Sequence, residues 1–273
     1  MTGNELIINV ALTGMVPTQE DNPALPVTPD EIAADVERCY NAGASIFHIH
    51  ARDEAGNPTW RREVYDEIIT KVRARVPEAI LCGSTSGRNW SELERRADVL
   101  KCDIDMASLT LGSLNFLTGA SVNAPETIKR LASWMDSLNI IPELEIFDLG
   151  MLDYAHYLID RELLQPPYYF NFLLGSLGTL HARPQNLLYL VNNLPEGAIW
   201  AATGIGRYQF EVNCWAIAMG GHVRVGLEDS IWMDRDKTDP ATNVRLVDRL
   251  VSIGWKLGRE PATPKQIRQL WKI

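Results

Sequence analysis

Short apolar, β-branched runs recur along the chain, each closed by a polar turn and followed by a stretch of helical period. The runs lie at residues 6–12, 44–50, 79–85, 104–109, 140–147, 168–174, 198–203 and 223–227 and read as strands. Between them the helical stretches cover 29–41, 62–76, 91–100, 125–138, 151–163, 184–192, 208–219 and 241–257, with a last short helix at 264–271. Thr28-Pro29-Asp30-Glu31 is a strong helix start, with Thr at the N-cap, Pro at the first helical position and Glu three residues after the cap. Asn123-Ala124-Pro125-Glu126 and Thr263-Pro264 are weaker versions, and Gly43 stands where a left-handed C-cap is expected. No composition break or linker divides residues 1–273, which read as one domain. Eight strand–helix units in 273 residues is the count of a (β/α)8 TIM barrel with a short C-terminal helix. The competing open, doubly wound α/β sheet usually carries a G-x-G-x-x-G first turn, and Leu12-Thr13-Gly14-Met15-Val16-Pro17 lacks it.

Charge narrows the range of partners. With 26 Lys and Arg against 35 Asp and Glu, the net charge of −9 argues against general nucleic-acid binding and against an anionic membrane surface. It leaves room for a small basic pocket that takes an anionic cofactor. The four cysteines are widely spaced and form no C-x-x-C, so neither a disulfide framework nor a structural zinc knot is expected. Met1-Thr2-Gly3-Asn4-Glu5 has no basic stretch ahead of its strand-like run, which is unlike a signal peptide, and a cytoplasmic protein is expected.

Candidate chemistry gathers at the strand ends. In Ile46-Phe47-His48-Ile49-His50 the two imidazoles are two residues apart and project to one side of a strand. They are either half a metal site or a hydrogen-bonded core pair. A carboxylate from the eighth strand favours the metal: Arg224, Gly226 and Glu228 share one parity, which brings Glu228 to the barrel mouth beside His48 and His50. Two His and one Glu with open positions is the pattern of a catalytic zinc. Asp229 has the opposite parity and joins only if the backbone turns; the plainer reading of Glu228-Asp229 is an acidic turn capping the next helix. Glu143 and Glu145 share a face and need a cation or Arg partner, for which Arg224 is the natural choice. The turn Gly83-Ser84-Thr85-Ser86-Gly87 offers hydroxyls and N–H groups to a carboxylate, and Ser108 and Thr110 end the fourth strand. Gly204-Ile205-Gly206-Arg207 reads as a tight turn where barrels often hold phosphate. His156, His181 and His222 read as structural or surface residues, and Trp255 and Trp271 as core or subunit-contact residues.

With these residues in hand, the chain resembles the β-keto acid cleavage enzymes. The likeness runs through Leu12-Thr13-Gly14, Asn22-Pro23, the segment Pro26 to Glu31, His48-Ile49-His50 with Arg52, and Pro142-Glu143-Leu144-Glu145. It continues in Gly204 to Arg207, Gly220-Gly221-His222-Val223-Arg224, Gly226-Leu227-Glu228-Asp229 and Ala262-Thr263-Pro264. The resemblance implies a zinc-dependent barrel, typically a homotetramer, that condenses a β-keto acid with acetyl-CoA and yields acetoacetate and a new acyl-CoA. By position His48, His50 and Glu228 would hold Zn2+, and Asp229 would be the base, oriented by Arg224. Ser84, Glu145 and Ser108 match substrate-site positions, and Thr110, Val16 and Gly87 are expected to line the substrate. One departure bears on specificity. Where members that take an ammonium-bearing substrate carry a Glu shortly after Thr-Gly, this chain has Val16, so an uncharged tail is expected. The alternatives on the same ligands are a zinc hydrolase using metal-activated water and a non-catalytic metal-binding barrel.

Overall fold

The computed structural model of the protein describes residues 4–117 and 119–272. Eight parallel strands close a barrel: β1 (Ile8–Ala11), β2 (Ile46–Ile49), β3 (Ile80–Gly83), β4 (Met106–Thr110), β5 (Ile141–Ile146), β6 (Tyr169–Leu174), β7 (Ile199–Gly204) and β8 (His222–Val225). Neighbours in the chain are neighbours in the sheet, and β8 pairs with β1 to close the ring, Val223 opposite Ile8. Outside lie α1 (Pro29–Asn41), α2 (Arg62–Arg75), α3 (Leu93–Arg96), α4 (Pro125–Ser137), α5 (Leu149–Asp160), α6 (Pro184–Asn192), α7 (Gln209–Ala218) and α8 (Asn243–Lys256), followed by α9 (Pro264–Trp271). This is the TIM barrel that the alternation predicts. Among the described residues no helix is long and apolar enough to cross a membrane.

The local signals act as their chemistry dictates, with three departures. Thr28 and Glu31 form a capping box, and so do Thr263 and Gln266 at the head of α9. Asn123 does not cap α4: its amide donates to the Gly112 carbonyl and its Oδ1 accepts from Arg96. The expected helix at 91–100 breaks into α3 and a 3-10 turn, Asp98–Lys101. The break lies beside Arg96, which turns inward and donates to the carbonyls of Thr85 (2.9 Å) and Val122 (3.3 Å). The expected first strand also divides, because Glu5–Leu6 pairs with Glu260–Pro261 and only Ile8–Ala11 enters the barrel.

Inward side chains form layers. The floor is apolar, built from Ile46, Ile80, Met106, Ile141 and Tyr169, and α9 plugs it from below with Ile267 and Trp271. Trp271 meets Tyr169 edge to face at 5.5 Å, which makes it core, whereas Trp255 on α8 is 55% exposed. Each fully buried apolar side chain contributes about 1.5–3 kcal/mol, which offsets the desolvation of the polar layer above it. That layer holds Asn9, His48, Cys82, Glu143, Asn171 and Arg224, all buried.

His222 opens β8, and its Nδ1 accepts the Ile7 N–H at 3.0 Å. Burial and the nearby Arg259 guanidinium hold its pKa down at about 3. The unfolded chain takes up this proton near pH 6.5 and the folded chain does not. Stability therefore falls as pH drops from about 6.5 toward 3, by up to about 1.4 kcal/mol per unit from this group. Replacing His222 by Asn, which keeps an acceptor for Ile7, is expected to flatten the melting temperature against pH in that window and to change nothing above it. Equal slopes for the two proteins would contradict the assignment.

Candidate active site

A cavity of about 460 Å³ opens at the C-terminal mouth of the barrel and reaches His48, His50, Glu145, Arg224, Glu228 and Asp229. Two features of the chain bring them there. His48 and His50 follow the alternation of β2 and its end, which sets their Nε2 atoms 3.3 Å apart. The carboxylates arrive by a turn. β8 stops at Val225, earlier than the expected residue 227, and Gly226 takes φ +151°. A Cβ at Gly226 would lie 2.1 Å from the Ala11 carbonyl oxygen, so only glycine lets the chain cross β1 here. The N–H groups of Asp229 and Ser230 both donate to the Gly226 carbonyl at 3.1 Å, and Gln209 donates to the same oxygen at 2.9 Å. Asn243 accepts the Leu227 N–H at 2.9 Å and so holds the turn from the side of α8. Strand parity is lost in this turn, and Glu228 and Asp229 both face the site. Gly14 closes the other flank: a Cβ there would meet Glu228 Cγ at 2.6 Å.

The geometry fits a divalent cation. His50 Nε2 lies 3.3 Å from Glu228 Oε1, and His48 Nε2 lies 3.9 Å from Glu228 Oε2. Ligand bonds of about 2.0–2.1 Å at tetrahedral angles put donor atoms about 3.3 Å apart, so two of the three edges already have that length. Glu228 Oε2 is buried without a hydrogen-bond partner. Glu143, Glu145, Glu228 and Asp229 all lie within ion-pair distance of Arg224, at 3.9, 3.2, 3.0 and 3.0 Å. Four carboxylates around one guanidinium leave the cluster short of positive charge, which a divalent ion would supply.

The proton equilibria sort these groups. Burial lowers the His50 pKa and keeps its ring neutral, although Glu228 opposes the shift. Burial also works against protonated His48, with Arg224 adding to it, but the Glu143 and Glu228 carboxylates together outweigh both and the net shift is upward. Arg224 stays charged because Asp229, Glu228, Glu143 and Glu145 together outweigh its burial. Glu228 is held well below the usual carboxylate range: its burial is overcome by His50, Arg224 and His48. Asp229 is raised by burial, with Arg224 pulling the other way and Glu228 adding to the rise. Glu145 is raised by burial as well.

Residues 5–273 match the β-keto acid cleavage enzyme family. The chain belongs to that family. Over 273 residues the enzyme is 39% identical to a 3-keto-5-aminohexanoate cleavage enzyme of Fusobacterium nucleatum subsp. nucleatum, with 98% of each chain covered. A 3-oxoadipate:acetyl-CoA acetyltransferase of Cupriavidus necator is 33% identical, over 97% of this chain and 93% of that one. Among solved structures, the apo structure of ObcA superposes with a TM-score of 0.81 at 21% identity, over 92% of this chain and 66% of that one. This enzyme therefore spans just under two thirds of that structure's length, and the likeness is one of fold.

The other residues expected at the site divide into two sets. Val16, Ser84, Thr110 and Glu145 line the cavity, and the Thr110 hydroxyl donates to Glu145 Oε2 at 2.6 Å. Ser108 and Gly87 do not line it. Ser108 is 3% exposed and its hydroxyl accepts the Thr85 N–H at 3.0 Å, while a Cβ on Gly87 would strike Arg96 Nη1 at 2.7 Å. Both therefore shape the turn that carries Ser84 from behind. Glu143, which does not stand among the expected site residues, belongs to the site as well. Its carboxylate accepts from Asn9 (2.6 Å), Asn171 (3.0 Å) and the Cys82 thiol (3.3 Å), and meets His48 Nδ1 at 2.7 Å. Those bonds satisfy the His48–Cys82–Glu143 group internally, and burial together with Glu143 keeps Cys82 a thiol, so this group supports the site from below.

Proposed function

We propose that this enzyme exchanges acyl groups between a β-keto acid and acetyl-CoA. The R–CO group of R–CO–CH2–COO− passes to coenzyme A, and the acetyl group replaces it to give acetoacetate. The observation that carries this reading is the convergence of His48, His50 and Glu228 on one point of the cavity, with the carboxylate of Asp229 beside them. Two imidazoles and a carboxylate suit Zn2+. Bound there, the ion supplies Lewis-acid polarisation of the substrate's keto oxygen.

Asp229 is the base that takes the proton from the CH2 between the two carbonyl carbons. Arg224 grips it through Nε to Oδ2 (3.0 Å) and Nη2 to Oδ1 (3.2 Å), and the Thr203 hydroxyl donates to Oδ2 at 3.3 Å. These contacts fix the carboxylate plane, and burial strengthens the base. Glu145 braces Arg224 from the far side at 3.2 Å. Ser84 and Thr110 present hydroxyls to the substrate. Met15 and Val16 give the wall an apolar stretch, and the lining carboxylates of Asp21 and Asp234 are tied to N–H groups of their own loops. Beside Met15 and Val16 an ammonium would lose hydration without gaining a paired charge, so the favoured substrate has an uncharged tail.

The test is a panel of β-keto acids incubated with zinc-loaded enzyme, with and without acetyl-CoA. Acetoacetate and the matching acyl-CoA are expected in equal amounts, only when acetyl-CoA is present, and faster for neutral than for amino-bearing tails. Hydrolysis that ignores acetyl-CoA would overturn the reading in favour of a metal-dependent hydrolase.

A further inference from the structure

The arginines around the barrel mouth differ in one respect. Arg224 is surrounded by carboxylates, Arg52 donates to the carbonyls of Gly14, Pro17 and Gly56, and Arg96 donates to those of Thr85 and Val122. Arg88 and Arg207 both line the cavity with no carboxylate among the described residues within ion-pair distance, but Arg207 donates to the Tyr208 hydroxyl at 3.0 Å, whereas the Arg88 guanidinium donates to no group among the described residues. Its contact is a ring: Cζ sits 3.6 Å from the centroid of Phe116, which is braced edge to face by Phe147 at 5.7 Å. Stacking uses the face of the guanidinium and leaves its in-plane N–H fork free. Ser84 and Ser86 line the same cavity, and the Ser86 hydroxyl accepts the Arg88 backbone N–H at 3.3 Å. An aromatic shelf thus holds an unspent, partly desolvated cation on the wall of the cavity that His48, His50 and Glu228 also line.

We infer that Arg88 is the anchor for the carboxylate of the β-keto acid, binding it side-on while the keto group faces the metal ligands. The inference rests on the function proposed above and adds a positioning residue to it. It requires no charge in the substrate tail, because every β-keto acid carries this carboxylate and so does the product acetoacetate. Free acyl-CoA does not, so the same fork separates the two substrates within the cavity.

The test uses full-length, zinc-loaded enzyme and follows tryptophan fluorescence, since Trp232 lines the cavity. Acetoacetate and its neutral amide are the ligands, alongside KM values for acetoacetate and acetyl-CoA. Losing charged hydrogen bonds to one carboxylate is expected to weaken acetoacetate binding about 10- to 100-fold in Arg88→Gln, with a smaller loss in Arg88→Lys. Binding of the amide and the KM for acetyl-CoA are expected to stay within about twofold of native. Arg88→Gln that binds acetoacetate as the native enzyme does would overturn the assignment alone. A rise confined to the acetyl-CoA KM would overturn it in favour of a phosphate contact. Native enzyme that binds neither acetoacetate nor any other β-keto acid would overturn the proposed function together with it.

Discussion

Asp229→Asn is expected to lower turnover about 10²- to 10⁴-fold, the usual worth of a positioned general base, while metal content stays at the native level. The geometry explains why the two effects separate. Asp229 lies one residue from Glu228, but its oxygens are committed to Arg224 at 3.0 and 3.2 Å and to Thr203 at 3.3 Å, not to the His pair. The amide keeps one acceptor for the guanidinium and loses the basic oxygen. It also turns an NH2 toward an arginine donor and relieves repulsion from Glu228, two changes of opposite sign, so melting should move by only a few degrees. The measurement is steady-state turnover with the metal-to-protein ratio determined on the same sample. A variant with native metal and native turnover would remove Asp229 from the chemistry.

How much of this was legible in the sequence depends on which interactions set each position. The barrel was, because its signal is repeated eight times and each strand–helix unit reports it independently. His48 and His50 were, because the two-residue period of a strand puts both rings on one side wherever the strand ends. Asp229 was only half legible. Parity sent it outward, and its true direction depends on the Gly226 backbone passing over the Ala11 carbonyl, a contact between segments more than 200 residues apart. Ser108 and Gly87 illustrate the reverse. Both lie at the mouth by position, but the Ser108 hydroxyl is taken up by the Thr85 N–H and Gly87 packs against Arg96, contacts made by neighbouring segments. Glu143 was visible as a buried acid in need of a partner. Which partner it finds is decided across the barrel by Asn9, Cys82, Asn171 and His48, and no local pattern encodes that.

Metal-stripped enzyme is expected to gain about 5–10 °C in melting temperature when Zn2+ is restored at about a hundred times its dissociation constant. His50→Ala and Glu228→Gln are expected to lose that gain, since the first removes one of three donors and the second replaces an anionic donor with a weak neutral one. Glu143→Gln should retain it but require about 10- to 100-fold more Zn2+. The intermediate case follows from proton bookkeeping at His48. Burial raises the Glu143 pKa, but His48 and Arg224 bring it down to about 2, so the carboxylate is ionised and can only accept. His48 must then carry its proton on Nδ1, 2.7 Å from Glu143, which leaves the Nε2 lone pair facing His50 and Glu228. In Glu143→Gln the oxygen is retained by the amides of Asn9 and Asn171, so the new NH2 faces Nδ1. The ring then takes the other tautomer, and an N–H points where a ligand lone pair is needed. Thermal scans across a zinc titration separate the three classes. A native-like shift in His50→Ala would place the metal elsewhere, whereas a native midpoint in Glu143→Gln would show that the carboxylate is not what sets the ring.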